Sequence, residues 1–259
     1  MSSVISPEEI PTVFDLYTDK VLDDDPESEP FYPYSEPLNK RDITKLKVDM
    51  IVNAANRSLL GGGGVDGAIH RAAGPDLLEE CKTLGGAATG QTKVTHGYNL
   101  PARLVAHTVG PIYSSDEAGR SEDLLSSCYF SSLDMCSGHG GGSIGFSSIS
   151  TGVYGYPIRD ATHVALDTVR QFLETDRRIT RVIFVVFSER DRNVYQGIMP
   201  LYFPGPSFKG VTIGQVSGPA AETINASQNG VPSHSQSAGG VASSSQTVRD
   251  DGTEVEEGS

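Results

Sequence analysis

The run Ile51-Val-Asn-Ala-Ala-Asn-Arg-Ser-Leu-Leu-Gly-Gly-Gly-Gly-Val-Asp-Gly-Ala-Ile-His70 constrains this chain more than any other stretch. Val48 to Val52 is a short apolar segment with β-branched members, the pattern of a buried strand. It leads into Asn53 and Asn56, with two alanines between them. An Asn amide carries donors and an acceptor on one short side chain, so two of them can read the hydroxyls of a neutral sugar. The alanines keep the floor low enough for a ligand to approach the backbone. Gly61 to Gly64 have no Cβ to hold a ligand away and free access to positive φ. Asp66 to Ala73 then reads as a short helix stopped by Gly74-Pro75. Asp66 and His70 are four residues apart, on one side of that helix.

Two other readings compete for these residues. Gly62, Gly64 and Gly67 satisfy G-x-G-x-x-G, the dinucleotide fingerprint. That fingerprint should follow a strand directly, yet eight residues separate Asn53 from Gly62. The acidic residue expected about twenty positions on falls near Cys81–Leu84, in or after a helix rather than at a strand end. The simpler competitor makes Asp66 a helix cap, a role Asp favours, and His70 a core residue. Neither explains the whole string.

Further motifs follow in order. They are Gly90-Gln-Thr-Lys-Val-Thr95, Gly97-Tyr-Asn-Leu-Pro-Ala102, His107-Thr-Val-Gly-Pro111 and Ile149-Ser-Thr-Gly-Val-Tyr-Gly-Tyr-Pro157. With Asn-Ala-Ala-Asn and the glycine run, the set closely resembles the macrodomain family, specifically its MacroD-type branch of ADP-ribose hydrolases. The resemblance covers roughly residues 38–204. It departs from the family at one place. Members usually carry an apolar strand running into an Asp-Ile pair, whereas Pro37-Leu38-Asn39-Lys40-Arg41 precedes Asp42-Ile43 here. A first edge strand is therefore expected to be short or absent.

Charge separates the chain into three parts. Residues 1–37 hold ten acidic residues against Lys20, and 206–259 hold six against Lys209 and Arg249. The part between is neutral, so the net charge of −13 belongs to the ends. The reading is an acidic N-terminal extension (1–37) with a short helix after Pro11, a macrodomain (38–204) and a tail (205–259). The tail's Ser, Gly, Gln and Ala cannot bury enough surface to offset ordering entropy, so disorder is expected there. A neutral domain with acidic ends lacks the Lys/Arg footprint of direct nucleic-acid binding. No run reaches the roughly 18 apolar residues of a membrane span, and no signal-peptide pattern opens the chain. Cys81, Cys128 and Cys136 are odd in number and read as buried free thiols of a reducing compartment, cytoplasm or nucleus. Cys136 and His139 have C-x-x-H spacing without a second ligand pair, so no metal is expected.

Between Pro75 and Pro204 strand and helix patterns alternate. Helices are expected over Pro75–Leu84, Ser121–Cys136, Asp160–Leu173 and from Glu189 to about Tyr202, closed by Pro200 and Pro204. Strands are expected at Val94-Thr95, Arg103–Val109, Ile144–Ile149 and Val182–Phe187. This implies an α/β fold of three layers, α/β/α, around a mainly parallel, mixed sheet. Ligands then bind beyond the carboxyl ends of the strands. Three loops fall there: 53–66, 150–156, and Ser188-Glu189. The backbone amides of Ser150 to Gly155 can hold a diphosphate without Lys or Arg.

The resemblance implies roles for individual residues. Asp42 would accept from the adenine amino group, with Ile43 beside it. Ser150, Thr151, Gly152, Val153 and Tyr154 would wrap the diphosphate, Tyr154 nearest the distal ribose. Asn53, Asn56 and the run Gly62, Gly63, Gly64, Val65 would hold that ribose. Asp66 would position or activate the attacking water, with His70 either orienting Asp66 or packing locally. Phe187 reads equally as an adenine-side residue or as a member of its apolar strand. The implied function is hydrolysis of mono-ADP-ribose from acidic side chains of modified proteins, and of O-acetyl-ADP-ribose, by a monomer without cofactor. A non-enzymatic ADP-ribose reader and an ADP-ribose 1″-phosphate phosphatase would use the same pocket. Asp66 behind an intact glycine run favours the hydrolase over the reader.

Overall fold

The computed structural model describes residues 4–12, 15 and 42–204. Most of the acidic extension, residues 38–41 before Asp42 and the expected tail beyond residue 204 lie outside the described residues.

Five strands form one sheet in the order β2-β3-β1-β4-β5. β1 (Met50–Ala55) lies in the middle. It runs parallel to β3 (Leu104–Val109), with Met50 opposite Leu104 and Ala55 opposite Val109. On its other side it runs parallel to β4 (Gly142–Ser147), which is parallel to β5 (Ile179–Val185). β2 (Thr92–His96) pairs antiparallel with β3. The sheet is thus mixed and mainly parallel.

Alternation along the strands divides the core. Met50, Val52, Leu104, Ala106, Ile144 and Phe146 belong to one buried cluster. It is covered by α3 (Ala118–Gly138), α4 (Ile158–Thr175) and α5 (Glu189–Tyr202). Ile51, Val105, Ile183 and Val185 belong to the other cluster, under α1 (Gly64–Ala73) and α2 (Pro75–Thr83). Successive residues of a strand point to opposite faces, so a sheet covered on both sides yields this period of two. Gly145 is small for a packing reason: a Cβ there would lie 2.8 Å from Leu46 Cδ1. Leu46 is fully buried, a contribution of about 2 kcal/mol that a larger residue at 145 would disturb.

Two expectations need correction, the span of β5 and the core reading of Phe187. β5 begins and ends earlier than the apolar run suggests, because its ends are set by polar side chains. Asp176 Oδ1 accepts from the N–H groups of Arg178 and Ile179 at 2.7 and 3.2 Å, turning the chain into the strand. Ser188 Oγ accepts from Asp191 N at 3.1 Å and starts α5. Phe187 therefore lies beyond the strand and is 77% exposed, which removes its core reading. α5 runs to Tyr202 as expected, and Pro200 sits inside its last turn. So near the end it forfeits little, and Phe203 N still reaches Met199 O at 2.9 Å. In the N-terminal segment Pro7–Glu9 forms a 3-10 turn, while the short helix expected after Pro11 lies almost wholly outside the described residues. Ile5 makes a single parallel bridge to Leu46, and the Arg181 guanidinium donates to Pro7 O.

From β1 the chain passes through α1, α2 and β2 to β3 on one side, then crosses through α3 to β4 on the other. Sheet order reverses at β1, and such a switch point opens a crevice at the carboxyl ends of the strands.

Candidate functional site

Asn53, the fourth residue of β1, is fully buried. Its Nδ2 donates to Asp66 Oδ1 at 2.8 Å and lies 3.1 Å from His107 Nδ1. The opposite amide orientation would place Oδ1 against the Asp66 carboxylate, so this assignment follows from the network. His107 Nδ1 must then accept, which leaves the ring proton on Nε2 to donate to Thr95 Oγ1 at 2.9 Å. Cys81 Sγ stands 3.7 Å from the same nitrogen. Burial first, then the nearby His70, pushes His107 down to about 3, so the ring is neutral. A buried polar relay thus runs from β2 and β3 up to Asp66 on α1.

Asp66 does not cap its helix. The N-cap is Gly63, without a side-chain cap bond, and the Asp66 carboxylate points to β1 instead. Burial raises its pKa above the usual 3.8, with Asn53's hydrogen bond and His70 pulling the other way. His70 Nε2 is 3.5 Å from Asp66 Oδ1. That distance allows attraction, yet the atoms are not aligned for a hydrogen bond, and the buried His70 Nε2 has none.

Above this relay the glycine run closes over the carboxylate. Asn56 folds its own loop as an Asx turn, accepting from Ser58 N and Oγ at 2.9 and 2.6 Å. Its Nδ2 donates to Gly61 O at 2.8 Å. A Cβ built on Gly62 would sit 3.1 Å from Asp66 Oδ2 and 3.2 Å from Asn56 Nδ2. One carboxylate oxygen and one amide therefore converge on the space a side chain at 62 would fill. Gly67 lets α1 approach: a Cβ there would meet Gly62 O at 2.3 Å. Gly63 and Gly64 open α1 with nothing near their Cβ positions, and Val65 packs partly into the second core cluster.

The loop after β4 is built differently. Ser150 holds φ +64, unusual for a side chain with a Cβ, and its buried Oγ has no partner. Tyr156 N donates to Ser150 O and Gly155 N to Gly152 O, both at 3.0 Å, while Tyr113 N donates to Tyr154 O at 2.9 Å. Among the described residues no acceptor takes the N–H groups of Thr151, Gly152, Val153 or Tyr154. These amides are left as unpaired donors, a set suited to an anion. Gly110 makes room for the Ser150 side chain, since a Cβ there would lie 2.1 Å from Ser150 Oγ.

Asp42 is exposed, and its Oδ1 accepts from Thr44 N and Oγ1 at 3.0 and 2.7 Å. Ile43 is buried in the second cluster. Phe187 stands exposed after β5, next to the Ser188 cap. His107, Thr95 and Gly110 are functional positions to which sequence reasoning assigned no role. The first two act through partners far away in the chain, and Gly110 through a close approach. Cys136 and His139 gather no third metal-binding group among the described residues.

Comparison with known proteins bears on this geometry. The Macro domain family profile matches residues 52–165. A macro domain-containing protein of Chlorobaculum tepidum is 59% identical over 157 residues, 61% of this chain and 91% of that protein. The ADP-ribose glycohydrolase MACROD1 of Bos taurus is 51% identical over 183 residues, 68% of this chain but only 56% of that protein. The chain thus spans about half the length of that glycohydrolase. A solved structure, the Trypanosoma brucei macrodomain in complex with ADP-ribose, is 49% identical with a TM-score of 0.57, covering 60% of this chain and 65% of that one.

Proposed function

The chain belongs to the macro domain family, and on that premise we propose that it binds ADP-ribose in the crevice at the ends of β1 and β4 and hydrolyses it from acidic side chains of modified proteins. The observation that carries this reading is the convergence of Asp66 Oδ2 and Asn56 Nδ2 over Gly62. The ligand of the trypanosomal relative and the activity named for the bovine one support it.

The diphosphate rests on the amides of Ser150 to Tyr154, which supply donors without any cation. The adenine extends toward Asp42, Ile43 and Phe187. The distal ribose enters over Gly62 to Gly64, where Asn56 Nδ2 has a hydrogen to spare for a hydroxyl. A water held by Asp66 attacks the ester that joins this ribose to the protein carboxylate, and the carboxylate leaves. A carboxyl group whose pKa is raised by burial takes the proton from that water better than an exposed one would. Asn53 and His107 keep Asp66 aimed. O-Acetyl-ADP-ribose presents the same kind of ester at the same position and is a second substrate of this reading. The three buried free thiols fit a reducing compartment, cytoplasm or nucleus.

The test is incubation with an ADP-ribosyltransferase that has modified its own Glu and Asp residues. Release of free ADP-ribose is expected. Tight binding without release would make the protein a reader. Phosphate release from ADP-ribose 1″-phosphate, with the protein ester untouched, would make it a phosphatase.

A further inference from the structure

Beneath the glycine run three soft or borderline ligands face one another from three different elements. His70 comes from α1, Cys81 from α2 and His107 from β3. One donor atom from each, a ring nitrogen or Sγ, lies within 4.8 Å of the other two. Tetrahedral zinc, with Zn–S about 2.3 Å and Zn–N about 2.0–2.1 Å, sets its ligand atoms roughly 3.4–3.6 Å apart. Cys81 Sγ and His107 Nε2 already stand at 3.7 Å. The other pairs need to close by at most about 1.4 Å on the same bond lengths, within the reach of side-chain rotation. His70 Nε2 is buried without a hydrogen bond, and Asp66 Oδ1, 3.5 Å from it, offers a fourth ligand. Gly61, with no side chain, lies against the His70 ring.

We propose that His70, Cys81 and His107 form a latent site for a thiophilic divalent cation, Zn2+ above all, and that filling it switches the hydrolysis off. An imidazole and thiolate set suits zinc rather than Mg2+ or Ca2+, which prefer oxygen. Proton bookkeeping explains the coupling. Cys81 binds as thiolate and gives its proton to solvent. His107 must present a lone pair at Nε2, so its ring proton moves to Nδ1. There it meets Asn53 Nδ2, a donor, at 3.1 Å. Asn53 must turn its amide so that Oδ1, now buried without a partner, accepts that proton. The same turn replaces the N–H that Asp66 receives from Asn53 with an oxygen. The carboxylate loses its aim, and Asp66 is drawn toward the cation. Only the inhibition rests on the hydrolase reading; the binding of metal does not.

The experiment uses the full chain, stripped with a chelator, in two arms. In the first, Co2+ is titrated in as a spectroscopic stand-in for Zn2+. A near-ultraviolet thiolate-to-cobalt band is expected that saturates at one ion per chain and disappears when Zn2+ is added. Cys81→Ala should lose the band and weaken metal binding at least about ten- to a hundredfold, the loss that even outer partners of a metal ligand cause. Cys81→Ser, closer in volume, serves if the alanine variant melts early, and Cys128→Ala should keep the band. No band in the unaltered protein, or a band surviving both Cys81 variants, overturns the site. In the second arm, Zn2+ should cut ester turnover by about a hundredfold, the scale of a misplaced acid–base group, reversibly with chelator. The Cys81 variants should keep metal-free turnover and lose the sensitivity to Zn2+. Inhibition unchanged in those variants would refute the coupling even if metal binds. Absent turnover in metal-free protein would instead refute the hydrolase reading and leave the cobalt result standing.

Discussion

At the carboxyl end of β1 every chemistry-bearing group is a side chain: Asn53, Asn56, Asp66 and His70, with His107 below them. At the carboxyl end of β4 the unpaired groups are backbone amides, those of Thr151 to Tyr154. The first loop is held by a buried polar relay whose members depend on one another. The second is held by main-chain bonds and by the empty space at Gly110. The contrast teaches a division of labour. Amides can grip an anion whatever its neighbours are, but they cannot take a proton. A carboxylate can take a proton, but only where burial and a fixed donor place it.

This division predicts which substitutions hurt which step. The largest effect falls on Asp66→Ala, which should lower turnover by about two orders of magnitude or more, the scale of a lost general base. Initial rates on a modified carrier protein read it. Next is Gly110→Ala, which forces a Cβ against Ser150 Oγ and Ile149 Cγ2 at 2.1 and 2.7 Å. Overpacking of that kind costs about 1–3 kcal/mol. ADP-ribose affinity should fall roughly tenfold or more, about 1.4 kcal/mol per tenfold, while turnover at saturating substrate is nearly kept. A variant that loses turnover and keeps affinity would reverse the two loops' roles.

Asn53→Ala probes the relay through pH. Asp66 must be ionised to act, so turnover should fall as pH drops through a value above the ordinary 3.8. Asn53's hydrogen bond holds that value down, so its removal should move the acidic limb to higher pH. Stability carries the opposite sign. A carboxyl group whose folded pKa is raised takes its proton in the folded state first. It therefore adds stability as pH falls from the raised value toward 3.8, and loses it as pH rises again. Asp66→Asn should abolish that part of the pH dependence of melting. The smallest effect belongs to Phe187→Ala. At 77% exposure it should change stability by no more than about 0.5 kcal/mol. It should weaken ADP-ribose binding and leave binding of ribose 5-phosphate as it was.

What the chain reveals before folding follows the same line. Alternation in Met50 to Val52 and in Leu104 to Ala106 is local, and it places the sheet and both core faces. Asn53, Asn56 and the glycine run mark the crevice because their unusual residue types are adjacent. The inward turn of Asn53 is not legible, since its partner His107 is 54 positions away and only the pairing of β1 with β3 brings them level. The start of β5 escaped notice because Asp176, an exposed-looking residue before the apolar run, sets it through two backbone bonds. Phe187 looked like one more apolar strand residue for the same reason.

The separation of the two loops is tested most directly by titrating ADP-ribose into the Asp66→Ala protein in a calorimeter. The side chain removed belongs to the proton-handling site alone, while the unpaired amides, Asn56 and the glycines remain. Affinity within about tenfold of the unaltered protein, a difference below about 1.4 kcal/mol, is the predicted result. A loss of affinity as large as the loss of turnover would contradict it, because Asp66 would then hold the ligand rather than act on it.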